Sequence, residues 1–178
     1  PLLIPIVIGL LLTGEGYILY KQDRVGYNNK SFLIWKFATM LKDSPNMSGG
    51  FITVKKDPRI TPMGGFLRKT KINELPQLFN VFLGHISVVG PRPLVKKIFL
   101  FYSDEVQNKI YCVKPGLTGI GSILFRDEES IISSITSEKP LDYYMRVISP
   151  YKGELELWYQ ENRSFTLDTQ LIFLTAWV

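Results

Sequence analysis

The sequence contains very little cysteine and histidine. Its 178 residues include one cysteine, Cys112, and one histidine, His85. A single cysteine excludes an internal disulfide and a zinc site built on cysteines, and one histidine is too few for a histidine-based metal cluster. Cys112 is therefore predicted to be a core residue of a protein from a reducing compartment.

The sequence also lacks an apolar run long enough to cross a bilayer. Residues 1–12, PLLIPIVIGLLL, are continuously apolar, but the run ends before Gly14. As a helix it would extend about 18 Å, against about 30 Å for a hydrocarbon core. It has neither the basic start nor the small-residue cleavage site of a signal peptide. It is therefore predicted not to cross the membrane alone, and by itself the pattern indicates a buried core segment.

Acidic residues are outnumbered by basic ones. Lysine and arginine total 21 and aspartate and glutamate 16, which gives a net charge of +5 and a pI near 9.2. Phosphorylated substrates, lipid headgroups or nucleic acid would suit this charge. Because no nucleic-acid motif is present and the basic residues cluster beside proline and glycine turns, nucleic acid is not predicted. The length of the chain predicts a single domain. With 46% hydrophobic residues and a mean hydropathy of +0.08, the chain is more apolar than a typical soluble domain, and membrane contact would explain this composition.

The most informative stretch runs from Arg68 to Pro93, RKTKINELPQLFNVFLGHISVVGPRP. Three basic residues precede a predicted helix over about 74–83, with Asn73 as its N-cap and Glu74 in its first turn. The unpaired N–H groups and the dipole of such a helix start favour an anion. A carboxylate beside a phosphate requires a cation between them, so Glu74 predicts Mg²⁺.

The stretch ends in a rigid turn, Gly90-Pro91-Arg92-Pro93. Each proline fixes its own φ and restricts the residue before it. Arg92 is thereby held in place, and its guanidinium is predicted to bind a diphosphate at two points. Taken singly, these features favour an ordinary capped helix and an ordinary proline turn. Their combination favours phosphate binding.

The first part of the chain is predicted to form a hairpin and a short helix. Strands at 17–20 and 32–40 are joined by a turn at Asn28-Asn29, and a polar, glycine-rich loop covers 43–56. Thr61 is predicted to cap an amphipathic, basic helix that ends near residue 69 and suits an anionic membrane surface.

The second part is predicted to be mainly helical. Helices are expected over 93–111 and 143–159, the latter with a break at Ser149-Pro150. Three acids, Asp127 to Glu129, are predicted to begin an exposed helix, although they would also suit a metal. The final apolar segment, QLIFLTAWV, is predicted to pack on the core or to enter the membrane interface.

Residues Leu67 to Pro93 resemble the core motif of the bacterial sugar transferase family, the monotopic phosphoglycosyl transferases. That motif reads approximately L-R-(K/R)-x-x-(I/L)-D-E-L-P-Q-L-x-N-V-(x)-G-x-(x)-S-x-V-G-P-R-P. Similar stretches are KFATM at 36–40, with Ala38 where arginine is usual, DPRIT at 57–61 and VKPGLTG at 113–119. The resemblance is strong over 17–119 and looser beyond, where ELWY at 156–159 is similar to the family's D-x-Y-Y.

The resemblance implies an α+β fold, in the form of a small, compact monotopic membrane domain. This domain would have a re-entrant N-terminal helix broken at Pro1, interfacial amphipathic helices and a few short strands. Residues 1–16 would be the second half of the re-entrant helix, and residues 17–178 a catalytic domain. The implied location is the cytoplasmic face of a bacterial inner membrane, and the natural protein would extend upstream of Pro1.

The resemblance also implies a reaction. Family members transfer a sugar-1-phosphate from a UDP-sugar to undecaprenyl phosphate with release of UMP, which initiates a bacterial surface glycan. Mg²⁺ is the implied cofactor, and later glycosyl transferases are further candidate partners. In the family an Asp-Glu dyad carries the chemistry: the aspartate attacks the sugar-proximal phosphorus and the glutamate holds the metal. No residue indicates which sugar is used.

The candidate site residues follow from the same resemblance. Asn73 and Glu74 stand at the catalytic dyad, and Glu156, at the position of a family aspartate, is the candidate second carboxylate. Glu74 and Glu156 are the expected metal ligands. The residues expected to bind substrate phosphate or nucleotide are Lys36, Arg68, Gln77, Gly90, Pro91, Arg92 and Pro93.

Asn73 departs from the family's aspartate. Because an amide lacks the anionic oxygen that attacks phosphorus, Asn73 should not form a phosphosugar adduct. The lipid phosphate could attack directly, with Glu74 on the metal, or Glu156 or one of Asp127 to Glu129 could supply the nucleophile. Alternatively, the protein is a catalytically inactive membrane-surface module that binds nucleotide-sugar or polyprenyl phosphate. The intact phosphate-binding residues favour an active enzyme.

Overall fold

The structure is a computed structural model that describes residues 3–44, 46–47, 53–54 and 56–177. Within these residues, short helices accompany two two-stranded sheets, so the predicted α+β class is confirmed. Part of the predicted loop at 43–56 lies outside the described residues, and so does Pro1, where the re-entrant helix was predicted to be broken. None of the helices described is both long enough and apolar enough to span a bilayer.

The N-terminal apolar run folds as helix α1, Leu3–Thr13. Ile6 and Leu10 are buried on one side, against Phe37 and Leu67. Its largely exposed apolar residues are Leu3, Ile4, Ile8, Leu11 and Leu12. The run is therefore partly core and partly surface, because only one face of the helix meets the rest of the chain.

Strands β1 (Leu19–Val25) and β2 (Ser31–Phe37) pair antiparallel over their whole length. Asn28 and Asn29 in the turn between them both have the left-handed conformation that asparagine tolerates well. The predicted hairpin is confirmed. The predicted bounds differ: β1 begins at Leu19 rather than at 17 and continues to Val25 because its pairing with β2 does, and β2 ends at Phe37 rather than at 40.

Helix α2, Pro62–Lys69, confirms the predicted capped helix. The Thr61 hydroxyl accepts a hydrogen bond from the Gly64 N–H at 3.1 Å, and Pro62 occupies the first turn, where its missing N–H costs little. Gly64 packs so closely on the chain after β2 that an added Cβ would lie 2.1 Å from the Thr39 carbonyl oxygen. α2 is thereby fixed against the end of the hairpin.

The helix predicted over 74–83 begins later. A 3₁₀ turn covers Ile72–Glu74, and helix α3 spans Gln77–Phe82. Pro76 has no N–H to donate back to the preceding turn, so the regular helix starts after it. The predicted N-cap role of Asn73 is therefore wrong, and an anion site at that helix start loses its basis.

Strands β3 (Ser87–Val89) and β4 (Gly116–Thr118) form a short parallel pair. Just beyond β3, the Gly90 N–H donates to a β4 carbonyl at 2.9 Å, and the Gly116 N–H donates to the Pro91 carbonyl at 2.9 Å. A Cβ on Gly116 would lie 2.1 Å from the Gly90 nitrogen, so this approach requires glycine. The pairing seats the Gly90–Pro93 turn on the VKPGLTG motif.

The helix predicted over 93–111 is two short helices, α4 (Lys96–Phe99) and α5 (Asp104–Lys109). The single-helix prediction is wrong because Ser103 caps a new start, accepting a hydrogen bond from the Val106 N–H at 3.4 Å. Apolar residues of both helices still enter the main core.

The C-terminal part consists of further helices. They are α6 (Ile120–Leu124), α7 (Glu128–Ser134), α8 (Pro140–Tyr143), α9 (Ser149–Asn162) and α10 (Phe165–Trp177). A π-helical turn, Tyr144–Ile148, joins α8 to α9, so the break predicted at Ser149-Pro150 is absent. Pro150 falls in the first turn of α9, and the wider π turn before it accommodates the missing N–H.

The main core lies between α4, α5, the π turn and α7. Its buried members are Val25, Leu94, Ile98, Phe99, Tyr102, Val106, Ile110, Tyr111, Ile132, Tyr144 and Ile148. Cys112 is exposed, so the prediction that it is a core residue is wrong. The neighbouring Tyr111, at 1% exposure, fills that part of the core instead.

Candidate active site

A cavity of about 600 Å³ opens between the hairpin, α2, the Gly90–Pro93 turn and α9. The basic residues that line it are Arg24, Lys36, Arg59, Arg68, Lys69, Lys71, Arg92, Arg126 and Lys152. The acidic residues that line it are Glu74, Asp127, Glu128 and Glu129. Because cations predominate, the cavity suits an anionic ligand.

Glu74 lies between two cations on this wall. Its Oε1 accepts hydrogen bonds from Lys36 Nζ at 3.0 Å and from Arg92 Nη2 at 3.2 Å. Burial alone would raise the pKa of Glu74, but the two cations hold it well below its ordinary value. Burial lowers the pKa of Lys36 to about 8 even with Glu74 beside it. The structure thus brings three sequence-predicted site residues into contact.

The backbone around Arg92 is held by two other side chains. Tyr111 Oη donates to the Arg92 carbonyl at 2.7 Å and accepts from the Leu94 N–H at 3.0 Å. Arg24 Nη1 donates to the Pro93 carbonyl at 3.0 Å. Burial, together with the Arg92 charge, lowers the pKa of Arg24 to about 10. Tertiary contacts as well as the prolines therefore make this turn rigid.

Asn73 lines the same cavity and is 6% exposed. Its Oδ1 is buried and has no hydrogen-bond partner within the described residues. An unpaired buried amide oxygen is costly, and such atoms in native proteins call for a ligand, an ion or water. Asn73 therefore presents an oxygen that is available to a ligand next to Glu74.

Glu156 lies behind the cavity wall rather than among the residues that line it. It is 3% exposed on α9, and a Cβ added to Gly121 would lie 2.4 Å from its Oε1. Burial raises the pKa of Glu156 to about 7, although the Arg92 backbone amide and the Lys152 charge both oppose this rise. The predicted second carboxylate therefore sits beneath Gly121 and holds its proton more tightly than an ordinary glutamate.

The remaining predicted phosphate-binding residues divide into two groups. Arg68 lines the main cavity from α2. Gln77 and Pro93 line a separate void of about 10 Å³ beneath Lys36 and Arg92, which is about the size of one water. Gly90 and Pro91 are buried and position Arg92 through the backbone.

Two further ion pairs involve the start of α7. Glu129 pairs with Arg68 of α2, and Glu128 pairs with Lys152 of α9. The Lys152 Nζ also lies 4.9 Å from the centre of the Phe125 ring. Of the three acids that were an alternative metal site on sequence grounds, Glu128 and Glu129 are thus engaged by cations.

Lys152 and Asn80 are among the residues that shape the site and that sequence reasoning missed. Lys152 carries no local signal, because its place at the cavity depends on how α9 packs. Asn80 is fully buried; its Nδ2 donates to the Leu33 carbonyl at 2.8 Å and its Oδ1 accepts from the Trp35 N–H at 3.0 Å, which ties α3 to β2. A polar residue within the apolar pattern of α3 was the signal that could have identified Asn80.

Among the described residues, no cluster of three or more His, Cys, Asp or Glu is arranged to hold a metal. The site instead combines a paired carboxylate, several cations and an unpaired amide oxygen. Cations of this kind bind phosphate oxygens, and a carboxylate among them can position a divalent ion shared with a phosphate. The fold and site define an α+β protein with a cationic cavity that suits phosphorylated ligands.

Comparison with known proteins agrees with this class. The bacterial sugar transferase family model matches residues 1–178, so the chain belongs to the bacterial sugar transferase family, whose members are phosphoglycosyl transferases. The family predicted from the Leu67–Pro93 stretch is therefore confirmed.

Three relatives illustrate the range of the family. The chain is 35% identical to the exopolysaccharide production protein PSS of Rhizobium leguminosarum bv. phaseoli, over 99% of this chain and 84% of that protein. It is 34% identical to a UDP-glucose:undecaprenyl-phosphate glucose-1-phosphate transferase of Klebsiella pneumoniae, over 99% of this chain. It is 33% identical to an undecaprenyl-phosphate galactose phosphotransferase of Salmonella typhimurium, over 90% of this chain. The chain spans 35% and 33% of the lengths of these two transferases.

Proposed function

We propose that this chain transfers a sugar-1-phosphate from a UDP-sugar to undecaprenyl phosphate and releases UMP. The observation that carries the proposal is the placement of Glu74 between Lys36 and Arg92 on the wall of a cationic cavity. The family of the chain and the names of its relatives support the two substrates. The reaction would initiate a surface glycan, which later glycosyl transferases would extend.

The reaction joins two polyanions, so the main task of the site is to offset their repulsion. Lys36 and Arg92 would bind non-bridging oxygens of the donor diphosphate. With a pKa of about 8, Lys36 remains mostly protonated at neutral pH and able to do so. Arg24 would hold the Arg92 turn in position through the Pro93 carbonyl.

We assign the attack to the acceptor phosphate, because Asn73 offers no nucleophilic oxygen. An oxygen of undecaprenyl phosphate forms a bond to the sugar-proximal phosphorus. The bond from that phosphorus to the bridging oxygen breaks, and UMP leaves with that oxygen. Asn73 would orient the donor, since its Nδ2 can donate to a phosphate oxygen.

Mg²⁺ is the proposed cofactor. The Glu74 carboxylate and the unpartnered Asn73 Oδ1 belong to consecutive residues and are oxygen donors of the type that Mg²⁺ prefers, so the residue types present fit this ion. When bound, the ion would neutralise part of the phosphate charge. The role of Glu156 as a second metal ligand stays a prediction. To bind the ion, its carboxyl group would have to lose the proton that burial favours.

We further propose a monotopic location on the cytoplasmic face of a bacterial inner membrane. Residues 1–16 would belong to a re-entrant helix and residues 17–178 to the catalytic domain. Exposed apolar side chains support contact with lipid; the most exposed are Leu12, Phe82, Phe165 and Trp177. A polyprenyl acceptor also requires a cavity close to the bilayer surface.

UMP release by the full natural protein, measured with Mg²⁺ and a panel of UDP-sugars, tests the proposal. We expect release to require undecaprenyl phosphate. The UDP-sugar that supports release identifies the sugar that is transferred. Glu74→Gln should lower the rate by about 100-fold or more, because the cations and the metal lose their shared carboxylate. Asn73→Ala should retain measurable turnover. UMP release that is independent of the lipid would contradict direct attack.

Asn73→Asp provides a second test of the mechanism. This change creates the carboxylate nucleophile of the family, so the variant should release UMP from a UDP-sugar without any lipid acceptor. Intact-protein mass spectrometry should then show the added mass of one sugar phosphate. The wild-type protein should show no such adduct, and finding one there would overturn the assignment.

An inactive module that binds nucleotide-sugar or polyprenyl phosphate is the second candidate, and Asn73 is the observation that favours it. This hypothesis predicts that UDP-sugars bind but that no UMP is released with any sugar tested. Lipid-dependent turnover with any one sugar excludes it.

A further inference from the structure

Lys152 has an unusual setting for a lysine. Its side chain is 9% exposed, yet the residue lines the main cavity. Its Nζ pairs with Glu128 and lies over the rings of Phe125 and Tyr144 at 4.9 and 5.5 Å. Burying an ammonium group is costly unless its charge is matched by a partner. Here the matching charge comes from a residue that also lines the cavity.

The two acids at the start of α7 each pair with a cation from a different element. Glu128 pairs with Lys152 of α9, and Glu129 pairs with Arg68 of α2. Because the acids are adjacent, the two cations approach the same turn of α7. The acids are the more exposed partners: the side chains of Glu128 and Glu129 are 26% and 46% exposed, against 9% for Lys152 and 25% for Arg68.

Lys152 and Arg68 line the same cavity as the Glu74 site, but they have different ion-pair partners from the cations at Glu74. Lys36 and Arg92 pair with Glu74, whereas Lys152 and Arg68 pair with α7. The charge of Glu128 nevertheless contributes to raising the pKa of Arg92, which places the two sets within electrostatic reach of each other. The cavity therefore holds two sets of paired cations, each of a type that binds phosphate oxygens.

We propose that Lys152 joins Arg68, whose phosphate role the resemblance already implies, in a second phosphate subsite, and that Glu128 and Glu129 are internal counterions which an entering phosphate displaces. The ligand class rests on the proposed function. The phosphate belongs either to the donor diphosphate or to the phosphate monoester of the acceptor. Displacement requires side-chain rotation on α7 alone, because the two carboxylates are the accessible members of their pairs.

Calorimetric titration with inorganic phosphate, without substrates, tests this subsite directly. Glu128→Gln removes the competing charge, so phosphate should bind about fivefold more tightly. Lys152→Gln should weaken phosphate binding by at least the same factor. The exposed pair Glu105 and Lys109, whose charged atoms are 2.7 Å apart outside the cavity lining, supplies the controls. Glu105→Gln and Lys109→Gln should leave phosphate affinity unchanged.

Unchanged or weaker phosphate binding in Glu128→Gln would overturn the inference, as would unchanged binding in Lys152→Gln. If Lys152→Gln does not fold, Lys152→Arg keeps the charge and should keep phosphate affinity; a folded Lys152→Arg variant without affinity would also overturn it. Thermal unfolding of each variant establishes that it is folded.

Steady-state kinetics of Glu128→Gln then identify the source of the phosphate. A lower KM for the UDP-sugar assigns the subsite to the donor, and a lower KM for undecaprenyl phosphate assigns it to the acceptor. A fall in kcat with both KM values unchanged would mean that Glu128 takes part in the chemistry, which overturns the counterion role. If the wild-type protein releases no UMP, the proposed function fails, but the phosphate titration still decides the subsite.

Discussion

At the scale of single residues, Glu74 and Glu156 show how neighbours decide the state of a carboxyl group. Burial acts in the same direction on both. Glu74 has Lys36 and Arg92 in direct contact, and its pKa falls well below the ordinary value. Glu156 has no side-chain ion pair described, and its pKa rises to about 7. The first is therefore an anion at all physiological pH values, and the second ionises only near neutrality.

The raised pKa of Glu156 predicts a pH dependence of stability. The folded protein keeps this proton up to about pH 7, whereas the unfolded chain loses it near 4.5. The folded state therefore binds the extra proton between these values, and the free energy of unfolding should fall as pH rises through this window, by up to about 3 kcal/mol. Glu156→Gln, which cannot ionise, should remove most of this fall.

Thermal or urea unfolding at pH 5 and pH 8 measures the difference. Glu154→Gln, on the exposed side of the same helix, is the matched control and should keep the wild-type dependence. An unaltered pH dependence in Glu156→Gln would mean that other groups are responsible.

At the scale of elements, α2 shows how a local signal and a tertiary contact combine. Its start was predictable, because Thr61 and Pro62 form a standard helix N-terminus. Its docking was not predictable, because the Gly64 contact involves the Thr39 carbonyl, 25 positions earlier in the chain. The docking matters for the site, since the last turn of α2 carries Arg68 to the cavity wall.

Two neighbouring glycines on α2 therefore predict opposite effects of the same substitution. A Cβ on Gly64 would lie 2.1 Å from the Thr39 oxygen, so Gly64→Ala should destabilise the protein by about 2 kcal/mol and displace Arg68. A Cβ on Gly65 would lie 4.0 Å from its nearest neighbour, so Gly65→Ala should stabilise the helix by up to about 1 kcal/mol. Chemical unfolding measures the change in the free energy of unfolding for each variant. Equal changes in the two variants would show that α2 does not dock as described.

At the scale of the whole molecule, exposed apolar helices lie on a chain that also carries a net charge of +5. On α3, Leu78 and Phe82 are 53% and 85% exposed. Much of the surface of these side chains is left uncovered by the part of the chain described, and lipid would cover it.

The double variant Leu78→Glu, Phe82→Glu should weaken binding to anionic vesicles by about tenfold or more, because it removes two apolar side chains that lipid would bury and adds two repelled charges. Co-sedimentation with vesicles of defined lipid composition measures the loss. Leu100→Glu alters another exposed leucine, outside α1, α3 and α10, and serves as the control. Equal losses in both proteins would argue against α3 as a membrane contact.

Much of the organisation could be predicted where the signal was local. The hairpin followed from two apolar segments around Asn28-Asn29, and the Gly90–Pro93 turn from its own composition. Errors arose where tertiary packing or a competing local cap decided the outcome. Ser103 divided one predicted helix into two, Pro76 delayed the start of α3, and the π turn before Pro150 preserved a helix that was expected to break.

The sequence by itself determined the family, the α+β class and the residue types available to the site, because these depend on motifs of neighbouring residues. Only the tertiary structure decided which side chains meet. Lys36 reaches Glu74 from 38 positions away, and Glu128 reaches Lys152 from 24. It also decided that Glu156 is buried behind Gly121. Contact between distant residues and loss of solvent around a charged group are products of packing, and no short stretch of sequence specifies either.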